Sequence, residues 1–275
     1  MMLRMPSPRI AFSSAAFFAR PLSDTFTLLA RTWYTGVEVM VTKDPASQDP
    51  RRMRSLADDY GLTIDAIHAP CLLLTRRVWG TDPIGKVDRA IEVAEDAEVP
   101  LVVVHPPYRW QRSYRRWLIE TLPERMAGTG VTVAVENMFP VRVGGREMTF
   151  HADQDLEELE GLPDLVLDTS HAAVAGHDLV DVRRRFNGRL RHVHLSDNAG
   201  KGWDSHLPPG AGVLALDDFL DDLAASGYVG SISLEVDLRQ HLTNPDRLLG
   251  MMTSMRERVE RGLAAGTLDV RREVG

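Results

Sequence analysis

Residues 191–212 read RHVHLSDNAGKGWDSHLPPGAG, an alternating apolar run that passes into a loop rich in ionisable groups. Groups that bind metal or exchange protons crowd this stretch: His192, His194, Asp197, Asp204 and His206. Alternation with valine and leucine is typical of a strand, and the glycines and prolines at 208–212 indicate a tight turn. The stretch therefore predicts a buried strand that delivers polar side chains to a loop at its carboxyl end.

The same arrangement occurs along the whole chain. Counting this one, there are eight short apolar runs: RIAFSS, GVEVMV, TIDAIHAP, LVVVHPP, VTVAVENM, DLVLDTSHA, LRHVHLSDN and GSISLEVD. Each contains valine or isoleucine and is bounded by turn residues, as is typical of buried parallel strands. Amphipathic stretches lie between them. The pairs Asp82–Pro83 and Asn244–Pro245 predict helix starts, and Gly227 predicts a left-handed helix end.

Eight strand–helix units in a chain of 275 residues predict an α/β fold, the (β/α)8 TIM barrel. We expect a single domain over residues 1–275, with a flexible tail at 267–275. A doubly wound open sheet is the structural competitor. That fold more often has a glycine-rich phosphate loop after its first strand, and the sequence has none there.

Composition excludes several classes of protein. Hydrophobic residues make up 44% of the chain, and the formal net charge of −7 argues against non-specific nucleic-acid binding as the main role. The single cysteine allows no disulfide framework and favours a reducing cytoplasm. No apolar run approaches the ~18 residues that span a bilayer. We read AFSSAAFFA as a first strand and loop rather than a signal peptide, and expect a cytoplasmic protein without a membrane partner.

The polar residues at the strand ends predict the site. In a TIM barrel the active site lies at the carboxyl ends of the strands. Six strand ends and two loops supply nine candidate donors: His68, His105, Glu136, Asp168, His171, His194, Asp204, His206 and Glu235. A single histidine at a strand end is more often structural, and Asp168 alone could cap the next turn. Nine donors on one rim instead predict a metal site, and imidazole with carboxylate suits zinc, manganese, cobalt or iron(II). His192, one layer deeper, is expected in the core or behind a ligand.

These residues also carry a resemblance to a known family. The motifs HAP, VVVHPP, VAVENM, LDTSHAAVAGHD, HVHLSDN, DSHLPPGAG and SLEVD resemble those of the xylose-isomerase-like TIM barrel superfamily. That superfamily includes sugar isomerases and epimerases and the DNA-repair enzyme endonuclease IV, of the AP endonuclease family 2. The resemblance covers nearly the whole chain, and its motifs are specific for the superfamily rather than for one activity.

The resemblance implies two alternative metal sites. In sugar epimerases, residues matching Glu136, Asp168, His194 and Glu235 hold one divalent metal, often manganese, and the two glutamates move the proton. In endonuclease IV, residues matching the other five candidate donors complete a site for three zinc ions. The implied cofactor is thus one to three ions of Mn²⁺ or Zn²⁺.

Two departures from endonuclease IV favour the sugar enzymes. Glu38, in GVEVMV, is expected to point to the rim as in sugar isomerases. After HAP the chain has Cys71 and Leu72, where the repair enzyme has a tyrosine and a leucine that enter the duplex.

One group of residues leaves the partner open. The loops on the expected active face carry basic and aromatic residues: Arg76, Arg77, Trp79, Tyr108, Arg109, Trp110, Arg112, Tyr114, Arg115, Arg116, Arg142, Arg146, Lys201 and Trp203. Such a mixture is compatible with a nucleic-acid backbone, with a sugar phosphate, or with a helix start at YRWQRSYRRW whose arginines are solvated.

We therefore predict a metal-dependent isomerase or epimerase of carbohydrate metabolism, acting on a sugar, sugar phosphate or polyol. Glu136 and Glu235 would transfer a proton alpha to a carbonyl through a metal-stabilised enediolate. Glu38, His171, Lys201 and Trp203 would bind the substrate. A zinc-dependent phosphodiester hydrolase is the alternative, with nucleic acid as the second choice of partner; a non-catalytic sensor ranks last. Self-association through the outer helices stays open.

Overall fold

Eight parallel strands close into a barrel. The computed structural model describes residues 8–18, 20–70, 77–143, 146–159 and 161–273. Its strands are β1 (Arg9–Ser13), β2 (Gly36–Met40), β3 (Thr63–His68), β4 (Leu101–Val104), β5 (Thr132–Glu136), β6 (Val141–Val143), β7 (Arg146–Met148), β8 (Leu165–Asp168), β9 (Leu190–Leu195) and β10 (Ser231–Leu234). The barrel order is β1-β10-β9-β8-β5-β4-β3-β2, and β6 with β7 forms a separate antiparallel hairpin. The eight predicted runs are the eight barrel strands, so the predicted fold is confirmed.

Helices cover the outside of the barrel. They are α1 (Leu22–Arg31), α2 (Pro50–Tyr60), α3 (Pro83–Ala97), α4 (Arg112–Arg116), α5 (Leu122–Met126), α6 (Leu156–Leu159), α7 (Thr169–Val174), α8 (Leu179–Phe186), α9 (Leu216–Ala225) and α10 (Pro245–Glu273). The predicted start at Asp82 is confirmed, since its carboxylate accepts a hydrogen bond from the Gly85 N–H at 2.8 Å. Gly227 follows α9 with φ +73°, the expected left-handed conformation.

The last helix bears on the prediction of a tail. It runs to Glu273, so the predicted tail at 267–275 begins inside a helix, and its flexibility stays a prediction. In the part of the chain that the structure describes, no helix combines the length and apolar character that crossing a bilayer requires.

Strand alternation divides the core into two parts. On β4, Leu101 and Val103 point into the barrel, whereas Val102 and Val104 pack under the helices. The barrel interior is a small cluster completed by Ala66, Ala134 and Val166. Because successive side chains of a strand point to opposite faces, each inward-facing residue predicts the direction of the residue two positions later.

Candidate metal centre

Because of this alternation, the predicted donors point into the barrel at the carboxyl ends of its strands, an opening that we call the mouth. His68 follows Ala66 by two positions, His105 follows Val103, and Glu136 follows Ala134. Asp168 likewise follows the inward-facing Val166 by two positions, and Glu235 follows the buried Ser233 by two positions. In the register of β8 with β9, Asp168 pairs with His194, so both lie in one layer. The carboxyl ends of six strands thus bring polar side chains to a common centre.

Among the described residues, the largest group of neighbouring donors has four members. Glu136, Asp168, His194 and Glu235 each offer one ligand atom, and all four atoms lie within 4.8 Å of one another. Nδ1 of His194 lies 2.9 Å from Oε2 of Glu235, 3.2 Å from Oε1 of Glu136 and 3.9 Å from Oδ2 of Asp168. Three carboxylates and one imidazole nitrogen therefore surround a point at the barrel mouth.

Two carboxylate oxygens of this group have no hydrogen-bond donor among the described residues, which indicates whether the group suits a cation. Oε2 of Glu136 and Oδ2 of Asp168 are buried and accept no hydrogen bond from a described residue. Nε2 atoms of His105 and His68 lie 3.2 Å and 3.4 Å from that Glu136 oxygen, outside hydrogen-bond geometry. A buried carboxylate oxygen without a donor is costly, and a divalent cation would compensate both atoms at once. The donor set thus fits Mn²⁺, Zn²⁺, Co²⁺ or Fe²⁺.

A second donor group adjoins the first. Asp168, His171 and His206 offer atoms within the same limit of 4.8 Å. Asp204 lies beside them, its Oδ2 2.7 Å from Nε2 of His206 and 3.4 Å from Nε2 of His171. His206 has φ +39°, a left-handed conformation that costs a bulky residue about 1–3 kcal/mol and is concentrated at functional sites. All nine predicted donors therefore meet at this mouth; their role as ligands stays a prediction.

The charges of the group shift its pKa values. Burial alone would raise the pKa of Glu136, but the charge of His194 and the imidazoles of His105 and His171 hold it well below its usual range. Burial raises the pKa of Asp168 to about 6, although His171 and His206 oppose the rise. For His206, burial lowers the pKa, while Asp204 and Asp168 outweigh it and raise the value to about 10. The mouth thus concentrates opposite charges away from water.

The residues predicted to bind substrate occupy different places. His171 is in the second donor group. Lys201 and Trp203 are exposed on the loop after β9, where the Lys201 ammonium lies 5.8 Å from the centre of the Trp203 ring. Glu38 is completely buried, with Oε2 2.7 Å from Nε2 of His192 and 3.0 Å from Nε2 of His194. It pairs in register with Ala66, one layer beneath His68, rather than lying at the rim.

The basic and aromatic segment separates into two faces. Tyr108, Trp110 and Tyr114 line a cavity of about 610 Å³ that reaches His105. Arginines of the same segment, such as Arg112 and Arg116, line a different pocket of about 470 Å³. Helix α4 begins at Arg112, which agrees with the helix start considered for this segment. Residues 71–76, which include the predicted departures Cys71 and Leu72 and also Arg76, lie outside the described residues.

Two further residues support the donors: Asn137, which the sequence analysis did not single out, and Asp197, to which it gave no role. The Asn137 side chain accepts a hydrogen bond from the Asp168 N–H at 2.7 Å and donates one to the Asp168 carbonyl at 3.1 Å. The carboxylate of Asp197 binds the loop that carries Asp204 and His206. Both follow a strand-end donor closely in the sequence, in VENM and HLSDN, and that proximity was the available signal.

The closed parallel barrel defines a TIM barrel, and its group of potential metal ligands lies at the carboxyl ends of the strands, the face that carries the active site in this fold. The chain belongs to the xylose isomerase-like TIM barrel family, whose model matches residues 26–257. The resemblance seen in the sequence motifs is thereby confirmed.

Relatives and solved structures agree with this family. An uncharacterized protein of Mycobacterium tuberculosis is 37% identical over 253 residues, which cover 84% of this chain and 89% of that protein. An L-ribulose 3-epimerase structure matches with a TM-score of 0.71 at 19% identity, covering 98% of each chain. An AP endonuclease of family 2 from Brucella melitensis matches with a TM-score of 0.65 at 20% identity, covering 84% of this chain and 94% of that one. At these identities the two structures establish a shared fold.

Proposed function

We propose that this protein is a divalent-metal-dependent isomerase or epimerase of a sugar, sugar phosphate or polyol. One observation carries the proposal: Glu136 and Glu235 approach the same nitrogen of His194, with Asp168 completing the group. Two carboxylates on one centre can remove a proton from a carbon and return it to the neighbouring carbon or the opposite face. The epimerase name of a structural neighbour is compatible with this chemistry.

The metal and the two glutamates would have different roles in the reaction. A cation held by Glu136, Asp168, His194 and Glu235 would polarise the substrate carbonyl and lower the cost of an enediolate. Glu235, whose side chain is 15% exposed, borders the opening of the mouth, whereas Glu136 is 1% exposed and surrounded by imidazoles. Each would exchange a proton with the carbon alpha to the carbonyl, a step worth about 10²–10⁴-fold.

The neighbouring cavity supports a small-molecule substrate. It measures about 610 Å³ and shares His105 with the donor group, so a ligand at the metal centre could extend into it. Phe139, another residue of this wall, packs on His171 with ring centres 4.7 Å apart. A cleft with apolar walls and few polar groups is typical of sites for small ligands.

The test combines metal content with proton exchange. Tag-free protein, purified without added metal, should carry about one divalent ion per chain by elemental analysis, as for one catalytic centre. The loaded protein, incubated in D₂O with ketoses and sugar phosphates, should introduce deuterium alpha to the carbonyl of its substrate, as followed by NMR. Protein that carries and rebinds no divalent metal would contradict the proposal, as would a metal-loaded protein that exchanges no proton in any member of the panel.

The second donor group favours a second candidate, a zinc-dependent phosphodiester hydrolase. Asp168, His171 and His206, with Asp204 beside them, offer room for further ions next to the first. Closely spaced metals suit hydrolysis of phosphate esters, and one structural neighbour is an AP endonuclease. Two or three zinc ions per chain, together with incision of abasic duplex DNA at physiological salt, would favour this function over the first.

A further inference from the structure

A buried carboxylate lies directly behind the proposed metal centre. Glu38, on β2, is 0% exposed, and its Oε2 atom lies between two imidazoles. It is 2.7 Å from Nε2 of His192, with which it shares a hydrogen bond, and 3.0 Å from Nε2 of His194, an ion-pair contact outside hydrogen-bond geometry. Its other oxygen accepts a hydrogen bond from the Ser13 hydroxyl at 3.4 Å.

His192 is also fixed on the side that faces away from Glu38. Nδ1 of His192 lies 2.7 Å from the Ser231 hydroxyl, so both ring nitrogens of His192 have a partner. The rings of His192 and His194 meet edge to face, with centres 5.2 Å apart and planes at 89°. Ser231, His192 and Glu38 thus form a continuous buried path to the back of His194.

The two nitrogens of His194 face opposite environments. Nε2 faces Glu38, whereas Nδ1 faces Glu136, Glu235 and Asp168. A neutral imidazole carries its proton on one nitrogen and a lone pair on the other, and a carboxylate favours the proton on the nitrogen next to it. Glu38 therefore favours the form of His194 in which Nε2 carries the proton and the Nδ1 lone pair points at the donor group. The carboxylates at Nδ1 oppose this form, and a bound cation would remove that opposition by neutralising their charge.

We infer that Glu38 is a positioning residue that fixes the tautomer and orientation of His194 and thereby raises the affinity of the barrel mouth for a divalent cation. The inference rests on the proposed function, because it assumes a metal at this group. It replaces the expected role of Glu38 in substrate binding. Partners that fix a ligating histidine are typically worth 10–100-fold in metal affinity.

The cost of burying Glu38 supports a specific role. A fully buried carboxylate is unfavourable unless charge and hydrogen bonds compensate it. Glu38 meets this condition through its hydrogen bonds with His192 at 2.7 Å and with the Ser13 hydroxyl at 3.4 Å. Packing alone would be served as well by an uncharged side chain.

The test measures Mn²⁺ binding to chelator-treated protein by isothermal titration calorimetry. Glu38→Gln keeps the shape of the side chain and removes its charge, and should raise the Kd for Mn²⁺ about 10–100-fold. Asp65→Asn is the matched control, because Asp65 is also a buried carboxylate on a barrel strand, but binds Arg9 and Thr63 instead of a candidate ligand. The control should keep the wild-type Kd.

The thermal midpoint of the metal-free proteins separates positioning from a structural role. If Glu38 only supports the fold, Glu38→Gln lowers the midpoint and leaves the Kd for Mn²⁺ unchanged, which overturns the inference alone. Wild-type protein that binds no Mn²⁺ at all overturns the proposed metal centre as well. Should Glu38→Gln fail to fold, Ser231→Ala must raise the Kd in the same direction by a smaller factor, and an unchanged Kd there overturns the inference.

Discussion

Asp197 and Gly212 approach so closely that a side chain at position 212 would have no room. The Gly212 N–H donates to Oδ2 of Asp197 at 2.9 Å. The same carboxylate accepts the N–H groups of Asn198, Gly210 and Leu214 at 2.8–3.0 Å. Backbone hydrogen bonds also join Asp197 to Leu207. One buried carboxylate therefore closes the loop that presents Asp204 and His206, and the close approach explains the glycine at position 212.

Gly212→Ala should destabilise the protein through this contact. A Cβ at this position would lie 2.3 Å from the Asn198 carbonyl oxygen and 2.3 Å from Oδ1 of Asp197, so the loop must shift. Overpacking of this kind costs about 1–3 kcal/mol, which calorimetry would detect as a lower thermal midpoint. Gly188→Ala is the control, because its Cβ would meet nothing within 4 Å. Equal midpoints for the two variants would contradict the proposed closure of the loop.

The sequence was sufficient for the barrel and for the positions of the donors. Strand alternation alone predicts that Glu136 follows Ala134 into the barrel and that His68 follows Ala66. The depth of an inward-facing residue is different, because it depends on how neighbouring strands are staggered. Glu38 pairs with Ala66 across a register shift between Val37 and Glu38, which places it beneath the mouth. The alternation within GVEVMV cannot reveal this shift, because the shift is a property of the pairing between two strands.

The directions of the loop side chains could not be predicted from the sequence either. The segment from Tyr108 to Arg116 mixes aromatic and basic residues, a pattern compatible with a binding surface made of both. In the structure the Tyr108 and Trp110 rings stack with centres 4.7 Å apart on one side. Arg112 and Arg116 turn to another pocket. The direction of each side chain depends on the turn before α4 and on contacts with distant residues such as His151, which stacks on Tyr108.

Glu235→Gln should abolish proton exchange while leaving the fold intact. The amide keeps the size of the side chain but cannot act as a base, so the loss should reach about 10²-fold or more. NMR of deuterium incorporation measures the loss, and circular dichroism reports the fold. Glu124→Gln, at an exposed position on α5, is the control. Undiminished exchange in Glu235→Gln would refute the proton-transfer role of this residue.

His206→Ala should distinguish one metal from several. If the group around His194 holds the only catalytic ion, removal of His206 should lower kcat/KM by about 10–100-fold or less, as for a residue beside a metal site. If the second donor group holds further zinc ions, the variant should lose metal per chain and nearly all activity. Elemental analysis and steady-state kinetics report the two quantities together. The control is His177→Ala, which should change neither, because the partly buried His177 lines a pocket that contains none of the candidate donors.

His151 should make stability fall as the pH drops below neutrality. Burial lowers the pKa of His151 to about 4, although its hydrogen bond to the Pro106 carbonyl at 2.9 Å opposes the shift. In the unfolded chain a histidine has a pKa of about 6.5, so at intermediate pH the unfolded state binds more protons. Stability contributed by His151 is therefore complete above the unfolded pKa and is lost as the pH falls toward the folded pKa, at up to about 1.4 kcal/mol per pH unit.

His151→Gln isolates this contribution, because glutamine can still donate to a carbonyl but does not titrate. Urea unfolding of both metal-free proteins at about pH 7 and about pH 5 gives the free energies of unfolding. Between these two values, wild type should lose about 2 kcal/mol more than the variant. Subtracting the two proteins removes the titration that the histidines at the barrel mouth have in common and leaves that of His151 together with its coupling to His105 and His171. Parallel curves for wild type and variant would mean that His151 takes up its proton in the folded state as easily as in the unfolded one.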